Sequence, residues 1–146
     1  MKKFEVKIHV KTSLTGPSVK DGSYAAIVEY AGKDGPVTRE ITGKEENTTY
    51  YRSVLLAILK SLEILRVGCS VIIYTDCNFV KSTIEQNRLE AWRRLEWTKP
   101  SGGEVKNKEL WQQFLEEMDK HEIEVRFNKN HVLSGYGDRL TALLGG

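Results

Sequence analysis

The chain has 146 residues, 40% of them hydrophobic and 29% charged, with three prolines, a formal net charge of +2 and a pI near 8.5. That length suits one domain, 1–146, burying about two thirds of its unfolded surface around one core. The balance excludes collagen-like and disordered classes, and no apolar run approaches the roughly 20 residues that span a bilayer.

In chain order, "MKKFEVKIHV" starts basic, but Glu5, Lys7 and His9 interrupt any signal-peptide apolar segment, so a cytoplasmic protein is expected. Phe4, Val6, Ile8 and Val10 alternate with those polar residues, the period-2 pattern of a strand with one buried face. Beyond the turn-rich "TSLTGPSVKDGS", "YAAIVEY" predicts a second strand and "PVTREITG" a third, joined as an antiparallel meander. "TTYYRSVLLAILKSLEILR" shifts to helical spacing, with Leu55, Ile58, Leu59, Leu62 and Leu65 on one stripe and Thr48 or Thr49 as N-cap. "SVIIYTD" is a continuous apolar run, as in a buried central strand ending at Asp76. Helices are predicted in "NFVKSTIEQN", "RLEAWRRLEW" and "KELWQQFLEEMDKH", then a strand in "IEVRF" and a short closing helix in "GDRLTALL". A meander feeding strand–helix–strand units implies a mixed α/β sheet with helices on both faces. Cys69 and Cys77 are too few for a disulfide framework and lack metal-ligand spacing, so they read as reduced thiols.

Charge is unevenly distributed. Residues 88–108 carry six basic side chains against three acidic ones, a net +3, and Trp92, Trp97 and Trp111 fall in or beside this segment. "WRRLEWTKPSGGEVKNKELW", with "SLEIL", "YTDCNFV" and "KNHV" in the same order, resembles bacterial type 1 ribonuclease H across nearly the whole chain. The resemblance implies the ribonuclease H-like fold: a five-stranded mixed sheet with strands 1–3 antiparallel, then parallel additions. It also implies a two-metal phosphodiesterase site in which carboxylates hold a pair of Mg²⁺ or Mn²⁺ ions.

Carried over one position at a time, the family's first-strand aspartate falls on Lys11, in "VKIHVKTS", and its first-helix glutamate on Val54. Its strand-ending aspartate is retained as Asp76 and its last-helix aspartate as Asp138, and His131 fits the mobile catalytic histidine. Asp76 and Asp138 are thus the metal-ligand candidates, and Lys11 is expected to lie within salt-bridge reach of Asp76, neutralising it in place of a metal. The plainer readings are that Asp76 caps the following helix, that Asp138 complements a helix dipole, and that His131 is a solvated loop residue. Asp21 in "DGS" lacks a preceding strand pattern and reads as a turn into the second strand, unless a remodelled hairpin returns it to the site.

For nucleic-acid binding, the resemblance points to Thr49 and Arg52 at a phosphate and to a basic-aromatic handle made of Trp92, Arg93, Arg94, Trp97, Lys99 and Lys106. The alternative for Trp92 and Trp97 is packing against the domain. Tyr50 and Tyr51 stand where the family carries two asparagines that read the hybrid's minor groove. Three functions follow as expectations. The first is an RNA/DNA hybrid- or duplex-binding monomer with a degenerate metal site and little cleavage. The second is an active, Mg²⁺- or Mn²⁺-dependent hybrid endonuclease with a rebuilt site. The third is a protein-interaction module that keeps only the fold and needs no metal.

Overall fold

A computed structural model describes residues 4–128 and 135–145. The order is β1 (Phe4–Thr12), β2 (Lys20–Gly32), β3 (Gly35–Thr48), α1 (Tyr50–Glu63), β4 (Cys69–Thr75), α2 (Asn78–Glu85), α3 (Arg88–Arg94), α4 (Lys108–Lys120), β5 (Glu122–Phe127) and α5 (Gly137–Gly145). The five strands form one sheet in the order β3-β2-β1-β4-β5. The β1–β2 and β2–β3 pairs are antiparallel, and β1–β4 and β4–β5 are parallel, as the meander and the crossover units require.

The main core lies between one sheet face and the helices α1 and α4. Val6, Ile8 and Val10 of β1 meet Leu55, Ile58, Leu59 and Leu62 of α1, with Trp111 and Phe114 of α4 in the same cluster. α1 starts where Thr49 takes an extended conformation and accepts the Arg52 backbone N–H on its hydroxyl at 3.4 Å, a side-chain N-cap. It ends before Leu65, which lies past the C-cap Ile64 and is half-buried.

α5 covers the opposite face, with Leu140 against Ala25 and Ile27 of β2. This second layer explains two departures from the sequence pattern, one in the alternation of β1 and one in the continuous burial expected of β4. His9 is only 2% exposed because its ring stacks on Tyr74 and meets Tyr136, which donates its hydroxyl to Glu29. β4 is buried at alternate positions only, since Ile72 and Tyr74 face this thinner layer. Phe4, at the strand's open end, is 70% exposed.

The "DGS" triplet is not a turn. Asp21, Gly22 and Ser23 lie inside β2, where the register shifts between Lys20 and Gly22. There Asp21 Oδ1 accepts the backbone N–H of Asn47 at 3.0 Å, a residue in the left-handed region at φ 50°. The aspartate satisfies a donor that the bulged ladder leaves unpaired. Gly22 has its own reason: a Cβ there would come within 2.8 Å of the Leu14 side chain. Both residue types suggested a turn, yet the β3 pairing supplies what an isolated loop would not.

Candidate nucleic-acid interface and carboxylate site

The parallel strands β1 and β4 end side by side, their last paired residues being His9 and Tyr74. Two residues further on, each strand presents a site candidate, Lys11 on one and Asp76 on the other. Ligands of open α/β sheets bind beyond such carboxyl ends of strands. The Asp76 carboxylate is half-buried and accepts the Tyr50 hydroxyl at 3.0 Å. Burial first, then the neighbouring Cys77 and Asp76, pushes the Tyr50 hydroxyl up from its ordinary pKa, so it remains a donor. Asp76 does not cap α2: the N-cap is Cys77, with no side-chain cap bond, and the Cys77 N–H is taken by Thr75 Oγ1 at 3.1 Å. Cys77 and Cys69 are both buried and are not joined by a disulfide, and burial pushes the Cys77 thiol up.

Lys11 does not pair with Asp76, contrary to the sequence-based expectation. Its ammonium donates to Thr141 Oγ1 at 3.0 Å, and Thr141 in turn bonds the Gly137 carbonyl at 3.0 Å. α5 lies over the sheet face that Lys11 leaves and offers a nearer oxygen, while Asp76 is occupied by Tyr50. Asp138 is exposed in the first turn of α5, one turn before Thr141. Val54, which the resemblance sets at the family's glutamate position, is 1% exposed and packed in the core. Asp21 is committed to the β2–β3 bulge. His131 lies outside the described residues.

Two Mg²⁺ ions about 3.5–4 Å apart need several anionic oxygens to offset their repulsion. The resemblance leaves Asp76 and Asp138 as the carboxylates expected there, with Lys11 and Val54 expected at the other two acidic positions. Among the described residues no three His, Cys, Asp or Glu side chains gather closely enough to share one ion.

The basic segment folds as a compact handle. α3 stops at Arg94, after which Glu96 and Trp97 adopt left-handed φ values of 55° and 63°. This reversal returns Trp97 N–H to the Trp92 carbonyl at 2.7 Å, and Val105 N–H then donates to Trp97 O at 2.9 Å. Trp97 is turned inward, 9% exposed, and forms a tilted aromatic cluster in which Trp92 lies 6.4 Å from it and 6.0 Å from Trp111. Packing, the alternative considered for the two tryptophans, is what their rings do. Arg93 donates to both oxygens of Glu90, and Arg94 Nε lies 3.6 Å from the same carboxylate. Arg52 is held between Glu45 at 2.8 Å and Glu109 at 2.6 Å, joining β3, α1 and α4. Lys99 and Lys106 are exposed and border a groove of about 800 Å³ whose walls include Thr49, Tyr51, Phe79 and Trp92.

Sequence reasoning missed the Tyr50–Asp76 bond, the role of Phe79 beside Tyr51, and Glu90 as the partner of two handle arginines. Only the last had a local signal, the i,i+3 and i,i+4 spacing of Glu90 to Arg93 and Arg94.

Comparison with known proteins accords with this geometry. The family model for RNase H matches residues 5–141. A ribonuclease H of Caldicellulosiruptor saccharolyticus is 36% identical over 110 residues, covering 75% of this chain and 73% of the relative. That of Nitratidesulfovibrio vulgaris is 31% identical over 131 residues, covering 90% and 81%. Among solved structures, LC9-RNase H1, a type 1 RNase H with the type 2 active-site motif, superposes with a TM-score of 0.80 at 21% identity, covering 98% of this chain and 71% of that one. A foamy viral protease-reverse transcriptase in complex with RNA/DNA hybrid superposes with a TM-score of 0.74 at 9% identity, covering 99% of this chain and 20% of the other. With the family model spanning nearly its whole length and curated relatives above 30% identity, the chain belongs to the RNase H family.

Proposed function

We propose that this chain binds the backbone of an RNA/DNA hybrid or duplex with the family's handle and helix N-terminus, and that its carboxylate site supports little or no cleavage. The observation that carries this reading is the pairing of Lys11 with Thr141 and the burial of Val54, at the two positions where the family's acids stand. Asp76 and Asp138 remain as carboxylates, with Tyr50 bonded to the first. Backbone recognition needs cations and N–H donors more than metals, and Lys99, Lys106 and the Thr49 cap supply these around one groove. Arg93 and Arg94 add positive charge, moderated by Glu90.

The second reading, an active ribonuclease H, is favoured by 31–36% identity to enzymes of that name. A labelled hybrid incubated with Mg²⁺ or Mn²⁺, beside a binding titration in EDTA, separates the two. Salt-dependent binding that persists in EDTA, with little RNA-strand cleavage, supports the first. Brisk hydrolysis abolished by Asp76→Asn establishes the second. Absence of binding at low salt leaves the interaction-module reading.

A further inference from the structure

We propose that the groove beside the Asp76 site takes an unstacked base of a single-stranded nucleic acid, with Tyr51 backed by Phe79 as the stacking platform. The inference rests on the nucleic-acid reading above and names the form of strand that the site would prefer. Tyr51 and Phe79 stack at 4.3 Å between ring centroids and 17° between planes, and Tyr51 remains 43% exposed. Phe79 fixes the orientation of the Tyr51 ring, and the exposed part of that ring offers a π surface on which a base can stack. The groove is mostly apolar, of about 800 Å³, within the range of sites that enclose small ligands. Its rim carries Lys99, Lys106 and the Thr49 cap, so phosphates on either side of an inserted base would meet cations and hydrogen-bond donors.

The chemistry of the walls distinguishes a single strand from a duplex. The Tyr50 hydroxyl is committed to Asp76, and the adjacent position offers a ring face instead of an amide. Reading a hybrid's shallow groove requires donors and acceptors directed at 2′-hydroxyls and base edges. A ring face serves only a base whose own face is free, and in a duplex those faces are stacked on their neighbours. An aromatic wall between lysines is the arrangement used for sequence-tolerant binding of single strands.

The test uses the whole chain in EDTA with a fluorescent oligothymidylate, the same strand carrying consecutive abasic sites, and an RNA/DNA hybrid of equal length. The single strand is expected to bind more tightly than the hybrid. Abasic substitution or Tyr51→Ala should weaken it about 5- to 150-fold, the range for losing one base–aromatic stack, whereas Tyr51→Phe retains binding. Thermal unfolding of each variant confirms that the fold survives. Hybrid binding as tight as that of the single strand, with no response to abasic sites or to Tyr51→Ala, would overturn the platform while leaving the duplex reading intact. Failure of all three probes to bind would overturn both.

Discussion

The Tyr50 hydroxyl donates to Asp76 Oδ1 at 3.0 Å, tying the first turn of α1 to the end of β4. Tyr50→Phe removes that donor from a half-buried carboxylate and should cost about 1 kcal/mol, a fall of roughly 2–4 °C in Tm for a chain of this size. The pH dependence has a definite sign. Because the folded-state pKa of Tyr50 is raised, its contribution is fully present below about pH 10, the unfolded tyrosine value, and declines as pH rises beyond it. Urea titrations from pH 8 to pH 11 should show a shallower alkaline loss in Tyr50→Phe than in the parent. Parallel curves would remove the special role of this bond.

Placing acids at positions 11 and 54 tests the proposed ligand deficit directly. Val54→Glu alone places a carboxylate at a position that is 1% exposed, and should destabilise by about 3–5 kcal/mol if it ionises without a partner. Combined with Lys11→Asp, the variant should gain stability from Mg²⁺ or Mn²⁺, about 2.7 kcal/mol at a hundredfold excess over Kd, and should cleave a hybrid faster than the parent. A parent protein whose Tm already rises with these ions would show that its own carboxylates suffice.

Salt dependence should report which cations face phosphate. Lys99→Ala and Lys106→Ala are each expected to lower the slope of log K against log salt by roughly 0.9 on duplex. Glu90→Gln releases Arg93 and Arg94 from the carboxylate they share, and should tighten hybrid binding while steepening the slope. Unchanged slopes in all three variants would place the strand elsewhere on the surface.

Trp97 should behave as a core residue. Trp97→Ala is expected to cost about 3–5 kcal/mol, measured by chemical denaturation, since the ring is 9% exposed and packs with Trp92. Any loss of nucleic-acid affinity should be matched by unfolding of the handle, visible as altered tryptophan fluorescence without ligand. Full stability with lost binding would return Trp97 to the surface role first expected of it.

Much was legible because hydrophobic period and turn chemistry are local. The alternation in β1, the stripe of α1, a threonine cap at 48 or 49 and the strand–helix order of the α/β sheet can be read from neighbours a few residues apart. The resemblance also implies that Lys11 and Val54 stand at two of the family's acidic positions, a reading made from residue identity alone. Tertiary structure decided where the remaining groups point. Lys11 bonds Thr141, 130 residues away, instead of Asp76. Asp21 serves a bulge closed by Asn47, 26 residues on. The handle tryptophans turn inward because two left-handed residues, Glu96 and Trp97, reverse the chain after α3. Hydrogen bonds and aromatic packing go to whichever partner folding brings near, and that proximity is set by the sheet as a whole, whereas helix and strand patterning is fixed within a few residues.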